Sequence, residues 1–345
     1  MLSQGQNVST SLVEQGKQTE RFERVIGMGG CRLADGKLHM GHLNGCLASP
    51  KLSALDDYFF VIQDSIVDRN RSDTYFGRLT RLAGAVLALA PSGPRTYIIR
   101  QSTIQEFYSR LYFVLCELAS TSLIIQKNPK IRRGDLTNIT LDEAIFPVGE
   151  VCNIFSLGCD HVFMNDDNLR FVNLARRIRK KLRSRGFSSA PKRPELVTGG
   201  VPRLIGYNYQ KMSKSNGNTI TLGTPYSELA GEIQRLSSRS WLYKQGSAFR
   251  KAFKEGDGSI KHPEDYPIFT FHKAFVDPKA LPCAIVDAAE RYTPKVLKAV
   301  EGFNRKVTEY VSMDDSNLRR ILKRIEDDEG AAEHLIKNNI EWYLK

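Results

Sequence analysis

The chain has 345 residues, 41% of them hydrophobic and 26% charged, with a formal net charge of +12 at pH 7. This composition suits a folded globular protein long enough for a main domain and a second lobe, and it excludes a disordered or collagenous chain. Six cysteines, Cys31, Cys46, Cys116, Cys152, Cys159 and Cys283, are scattered without metal-ligand spacing. They read as reduced intracellular thiols, and the basic surplus favours polyanions such as RNA or nucleotides as partners.

The segment Met1 to Glu20 is rich in Gln and Ser and has no apolar core of a signal peptide, so it is expected to be a flexible tail. Val25 to Gly30 reads as a strand running into a glycine-rich turn, followed by a helix over Leu43 to Leu55. Tyr58 to Ile62 is a continuous apolar run of buried-strand type. Ser72 to Leu89 has helical spacing, ends before Pro91 and is followed by a strand over Thr96 to Arg100. Strands alternating with helices predict a doubly wound α/β fold with a parallel sheet.

Ile104 to Ile125 reads as a long helix, Lys127 to Thr140 as a polar connector, and Thr140 to Leu157 as a helix broken at Pro147. Asp160 to Met164 is a candidate strand. Leu169 to Arg185 is helical and basic, with Phe171, Val172, Leu174, Ile178 and Leu182 on a packing face. Its charges are Arg170, Arg176, Arg177, Arg179, Lys180, Lys181, Arg183 and Arg185, which suit either nucleic-acid phosphates or a solvated face. From Pro225 onward the chain is mostly helical, with turns near Gly246, Gly256 and Pro263 to Pro267 and packed helices over Tyr292 to Val311 and Leu318 to Tyr343. The longest small-apolar stretch, Leu82 to Ala90, is too short to span a bilayer, so a cytoplasmic protein is expected.

Two short motifs carry the chemistry. His39-Met40-Gly41-His42 stands at a helix entry after a strand, where backbone N–H groups and the helix dipole favour anions. Gly41 lets a nucleotide approach the backbone, and the two histidines can donate to phosphate oxygens. Far downstream, Lys211-Met212-Ser213-Lys214-Ser215 puts two ammonium groups on a short loop, which Asn216-Gly217-Asn218 extends and makes flexible. Such a loop can close over a triphosphate.

In this order the two motifs resemble the ATP-binding signatures of class I aminoacyl-tRNA synthetases, and their surroundings are similar to the tryptophanyl branch of that family. The resemblance covers nearly everything after the tail. It implies a Rossmann-like domain over residues 23–225 with a helical insertion at about 104–157, following a tail at 1–22. A C-terminal helical tRNA-binding domain would occupy residues 226–345. It further implies ATP with Mg²⁺, an amino acid and tRNA as partners, and a homodimer. His39, Gly41 and His42 would then serve phosphate and adenosine. Lys211, Ser213 and Lys214 would hold pyrophosphate, Met212 and Ser215 would belong to the same ATP site, and Asp167 would contact ribose or help orient the substrate.

The amino-acid side departs from the family pattern. Asn153 stands where the family has an aspartate reading the indole N–H, and Glu150 where an apolar residue is usual. Gln63 replaces a small apolar side chain, Ile66 a histidine and Gly29 a bulky aromatic. Asn165-Asp166-Asp167-Asn168 stands for a Gly-Glu-Asp-Gln pattern. These changes share a direction, toward a more polar pocket for tryptophan or a more polar analogue. A buried carboxylate such as Glu150 requires donors or a positive charge. Two rivals remain open at this point: an adenylate-forming enzyme with a non-tRNA acceptor, and a catalytically silent RNA-binding paralogue.

Overall fold

The computed structural model describes residues 24–64, 72–120, 141–187, 191–201, 203–208, 210–237, 266–282, 285–311 and 315–343. Among these residues five parallel strands form one sheet in the order β3-β2-β1-β4-β5: β1 Ile26–Arg32, β2 Asp57–Gln63, β3 Arg95–Arg100, β4 His161–Phe163 and β5 Glu195–Val197. The order reverses between β1 and β4. In a doubly wound sheet this opens a crevice at the carboxyl ends of those strands.

The long helices are α1 Ser72–Leu89, α2 Gln101–Leu118, α3 Leu141–Ser156, α4 Leu169–Ser184, α5 Tyr226–Ser237, α6 Pro267–Phe275, α7 Ile285–Val311 and α8 Asp315–Tyr343. They cover both faces of the sheet. Tyr58, Phe60 and Ile62 of β2 pack with α1, α5, α6 and α7 on one side. Phe59 and Val61 pack with α2, α3, α4 and the end of α8 on the other. Burial on both faces explains why β2 reads as an unbroken apolar run.

Several local expectations change. The glycines after Ile26 stay inside β1, because the sheet centre has no room for more side chain there. A Cβ on Gly27 would lie 2.4 Å from Leu55, and one on Gly29 would lie 2.2 Å from the Tyr58 hydroxyl oxygen. The predicted helix over Leu43 to Leu55 is divided into a wide turn, Leu43–Leu47, and a 3-10 helix, Pro50–Ala54. Pro50 starts the second piece, having no N–H to continue the first. Helix α2 begins at Gln101, straight from β3, since Asp64 accepts hydrogen bonds from Ser102 N at 3.0 Å and Ser102 Oγ at 2.7 Å. These contacts satisfy part of the helix start. Helix α3 runs through Pro147, which leaves little helix on its amino side, and buried Val148, Val151, Ile154 and Phe155 hold its longer carboxyl part. Strand β5, only three residues long, carries too little pattern to be foreseen. The expected connector at Lys127 to Thr140 and the turns near Gly246 and Gly256 lie outside the described residues.

Helix α8 closes the sheet's β3 edge with side chains. Arg324 Nη2 donates to Thr96 O at 2.7 Å, Asp328 Oδ2 accepts from Ile98 N at 2.9 Å, and Glu329 Oε1 accepts from Arg100 N at 2.9 Å. Arg100 also forms a fork-like pair with Glu329, with contacts of 2.7 Å from Nε and Nη2. Alternate residues of an edge strand thus find partners that a sixth strand would otherwise supply.

Candidate active site

The two motifs meet at the carboxyl end of β1. His39 lies in an antiparallel bridge with Thr221, Met40 N donates to Ile220 O at 2.9 Å, and Leu222 N donates to Leu38 O at 2.9 Å. The chain leaving the Lys211–Ser215 loop is therefore stitched by backbone to the His39 turn. Met212, buried in the core, anchors the loop from within, and its N–H donates to Leu204 O at 2.9 Å.

His39 caps the helical turn Met40–His42, its Nδ1 accepting from Gly41 N at 3.1 Å. Accepting at Nδ1 puts the proton on Nε2, which is left as a donor. A Cβ on Gly41 would sit 2.9 Å from the His39 ring, so glycine is required by the cap itself. The rings of His39 and His42 stack with centroids 3.6 Å apart. Burial, helped by Lys214 and Lys211, pushes the His42 pKa down to about 3, and burial with His42 and the same lysines holds His39 well below the usual histidine range. Both rings are neutral at pH 7, and His42 Nδ1 is buried with no partner.

Lys211 Nζ is paired with Asp167 Oδ2, and Lys214 Nζ with Asp35 Oδ1 and, at 2.8 Å, with Lys37 O. The Asn216-Gly217-Asn218 extension, expected to loosen the loop, fixes it instead. Asn218 is fully buried, accepts from Ser213 N at 2.9 Å, and donates to Asn208 Oδ1, Gln210 O and Lys211 O. Gly217 takes the left-handed conformation, φ 60°, that ends the short helix Lys214–Asn216.

Asn165 joins the second side of the crevice to the first, donating to Gly41 O at 3.4 Å and accepting from Asn44 Nδ2 at 3.4 Å. Buried Asn44 also donates to Val201 O at 2.9 Å. Asp166 faces outward to Arg203 at 3.1 Å, and Asn168 lies beside Asp167 at the start of α4.

On the α3 side, Gln63 Nε2 donates to Glu150 Oε1 at 2.5 Å. Glu150 is fully enclosed, and burial raises its pKa to about 7, against the lowering influence of Arg32 and of the Gln63 bond. Arg32 lies over the Phe146 ring, 5.5 Å from its centroid. Asn153, one turn along α3 from Glu150, has 0% exposure, and neither amide atom has a partner. Gly29 does not join this group. Its vacant side faces Tyr58 and Cys46, on the opposite face of β1 from α3, and Tyr58 fills the space by donating to Cys46 O at 2.6 Å. Ile66 lies outside the described residues, as does the side chain of Ser215.

Asp35 and Asn44 lie beside these residues without having been singled out by the sequence reading, which named Asn218 only as part of a loosening turn. Asp35 had a visible sign, an Asp-Gly turn just before His39; Asn44 had none. Among the described residues no group of three or more His, Cys, Asp or Glu side chains is placed to hold a metal ion.

The basic helix α4 divides its charges. Arg176 and Arg179 hold the following loop through Pro194 O and Pro191 O, and Lys181 holds Leu118 O. Arg177, Lys180, Arg183 and Arg185 are exposed, and exposed Arg193 lies near enough to Arg179 to disfavour its charge.

No protein-family model matches the chain. It is similar to the tryptophan–tRNA ligase of Thermotoga maritima, 25% identical over 253 residues that cover 70% of this chain and 72% of that protein. The corresponding enzyme of Pseudomonas syringae pv. tomato is 23% identical over 71% of this chain and 55% of its own length. Among solved structures, tryptophanyl-tRNA synthetase from Mycoplasma pneumoniae superposes with TM-score 0.65 at 14% identity, covering 92% of this chain and 96% of that one. The Campylobacter jejuni enzyme in complex with ADP and tryptophan gives 0.62 at 17% identity, over 92% and 98%.

Proposed function

We propose that this chain, a distant relative of tryptophan–tRNA ligases with the class I aminoacyl-tRNA synthetase fold, activates an amino acid with ATP and transfers it to tRNA. The observation that carries this reading is the stitching of the His39 turn to the Lys211–Ser215 loop across Leu38, Met40, Ile220 and Leu222. It gathers two neutral imidazoles and two ammonium groups at a helix entry outside the carboxyl end of β1.

The chemistry needs little more. The amino-acid carboxylate is already ionised and attacks the α-phosphorus. A carboxyl–phosphate bond forms, the bond to the bridging oxygen breaks, and pyrophosphate leaves with that electron pair. No general base is required, so catalysis is positioning and charge stabilisation. Lys211 and Lys214 would take the charge of pyrophosphate. His39 through Nε2–H, and His42 through an N–H, would donate to phosphate oxygens as neutral groups. The described side chains form no cage for Mg²⁺, and any ion would be held chiefly by the nucleotide.

The α3 side supports a substrate whose side chain forms hydrogen bonds. Glu150 offers a carboxylate oxygen, and the free amide of Asn153 offers two N–H donors and a carbonyl acceptor. A site of this kind strongly rejects analogues that leave its polar groups unpaired. The exposed arginines and lysines of α4, with Arg193, fit RNA phosphates, and the helices after residue 226 would carry further tRNA contacts.

The test is amino-acid-dependent ATP–pyrophosphate exchange across all standard amino acids, with Lys214→Ala as control. Exchange with a polar or cationic amino acid supports the full reading, and exchange with tryptophan alone keeps the enzyme but removes the altered pocket. Absence of exchange with every one would favour a silent paralogue or a non-standard amino acid. Binding of total tRNA and its salt dependence separate tRNA from a small-molecule acceptor.

A further inference from the structure

Asp35 stands out because nothing in the reaction calls for a carboxylate at that position, yet it engages one of the two loop lysines. Its turn is rigid. Leu33 N donates to Gln63 O at 2.9 Å, Gly36 N to Leu33 O at 2.7 Å, and Arg78 Nη1 to Ala34 O at 2.6 Å. Ala34 is held at φ 41° and Gly36 at φ 72°, and a Cβ on Gly36 would lie 2.6 Å from the Arg78 backbone. Asp35 Oδ1 accepts from Lys37 N at 3.0 Å, which aims the carboxylate. Lys214 Nζ meets both that carboxylate and Lys37 O, so the turn occupies two of its three donors. Lys211 is paired with Asp167 as well.

We propose that Asp35 is a positioning residue that latches Lys214 onto the His39 turn in the empty site and yields it to the phosphates of the incoming nucleotide. This rests on the reading of the site as an ATP site. The lysine cannot give the same donors to Asp35 and to a phosphate, so one anion must replace the other. The exchange is inexpensive because the Asp35 side chain is 53% exposed and can return to water, whereas Lys214 is 26% exposed. The latch spares the empty site an uncompensated cation beside two buried, neutral histidines. It also keeps the loop near its working position while weakening the grip on ATP.

The test uses the full chain and Asp35→Asn, which keeps an acceptor for Lys37 N and removes the charge. Two quantities are measured: trypsin cleavage after Lys211 and Lys214 without nucleotide, and equilibrium binding of MgATP. The latch predicts cleavage several-fold faster and MgATP binding about threefold to tenfold tighter in the variant, by the usual worth of a part-exposed ion pair and the loss of like-charge repulsion. In a Lys214→Ala background the same substitution should change MgATP binding less than about twofold, the sign of a coupled pair. Unchanged cleavage overturns the latch. Weaker MgATP binding in Asp35→Asn also overturns it, and would make Asp35 a metal or nucleotide contact. Wild-type chain that binds no MgATP sinks the ATP-site reading, and with it the exchange of Asp35 for phosphate, whatever trypsin shows.

Discussion

The crevice has two sides built on different principles. On the proposed nucleotide side the positions of His39, Gly41, Lys211 and Lys214 are set by contacts to the main chain: the His39 ring on Gly41 N, a bridge to Thr221, and the Asn218 amide on the loop base. On the α3 side Gln63, Glu150 and Asn153 hang from regular elements, and their chemistry is decided by side chains alone. A phosphate site anchored to the main chain, as proposed here, would change little without a change of fold. A side-chain site can be rewritten on an unchanged scaffold, and here the departures from the tryptophanyl pattern concentrate in the second kind.

The largest test of this contrast is Lys214→Ala, which should lower the rate of pyrophosphate exchange by about a hundredfold or more, since a charge-stabilising donor is typically worth that much. A loss of less than tenfold would mean that the backbone side does not hold the reacting phosphates. Next is Glu150→Gln, read by stability against pH. Glu150 titrates near 7 in the folded chain, above its unfolded value, so the folded state binds the extra proton. Its stabilising contribution is complete below about pH 4.5 and is lost as pH rises through about 7. Glutamine removes this loss and should stabilise the chain by roughly 3 kcal/mol at pH 8 relative to its effect at pH 4. A pH-independent effect would place Glu150 in contact with water.

Asn218→Ala should cost about 2 kcal/mol in chemical denaturation, because it strands buried donors and acceptors at the loop base, and it should slow exchange with pyrophosphate. Asn153→Leu acts in the opposite sense. Removing an unpartnered buried amide should leave stability unchanged or raise it by about 1 kcal/mol. The same substitution should remove amino-acid selection. Strong destabilisation by leucine would show that the amide is held by the fold and does not await a ligand.

Much of the nucleotide side was legible in the chain because its chemistry is local. His39 to His42 and Lys211 to Ser215 each carry their residue types within a few positions. What stays hidden is each residue's distant partner. Asp35 meets a lysine 179 positions away, and Asn44 meets Val201 across 157. Asn218 lay in plain view, but Asn-Gly-Asn reads as a turn until burial shows its amide tying the loop. Gly29 is set apart from Gln63 and Glu150 for a related reason. Alternation along β1 turns it toward Tyr58, and a one-residue step is enough to change faces. The α/β alternation made the sheet readable, whereas the three-residue β5 is recognisable only by its pairing with β4.

The clasp between α8 and β3 has a consequence for how the chain is made. Its contacts join residues 228 to 230 positions apart. At usual ribosomal speeds the strand therefore waits on the order of ten to fifty seconds before its clasp is synthesised. During that interval the nascent sheet carries an open margin able to pair with another strand. Only once Arg324, Asp328 and Glu329 have emerged is that margin closed, so pairing with neighbours on the polysome has to be avoided by other means until then.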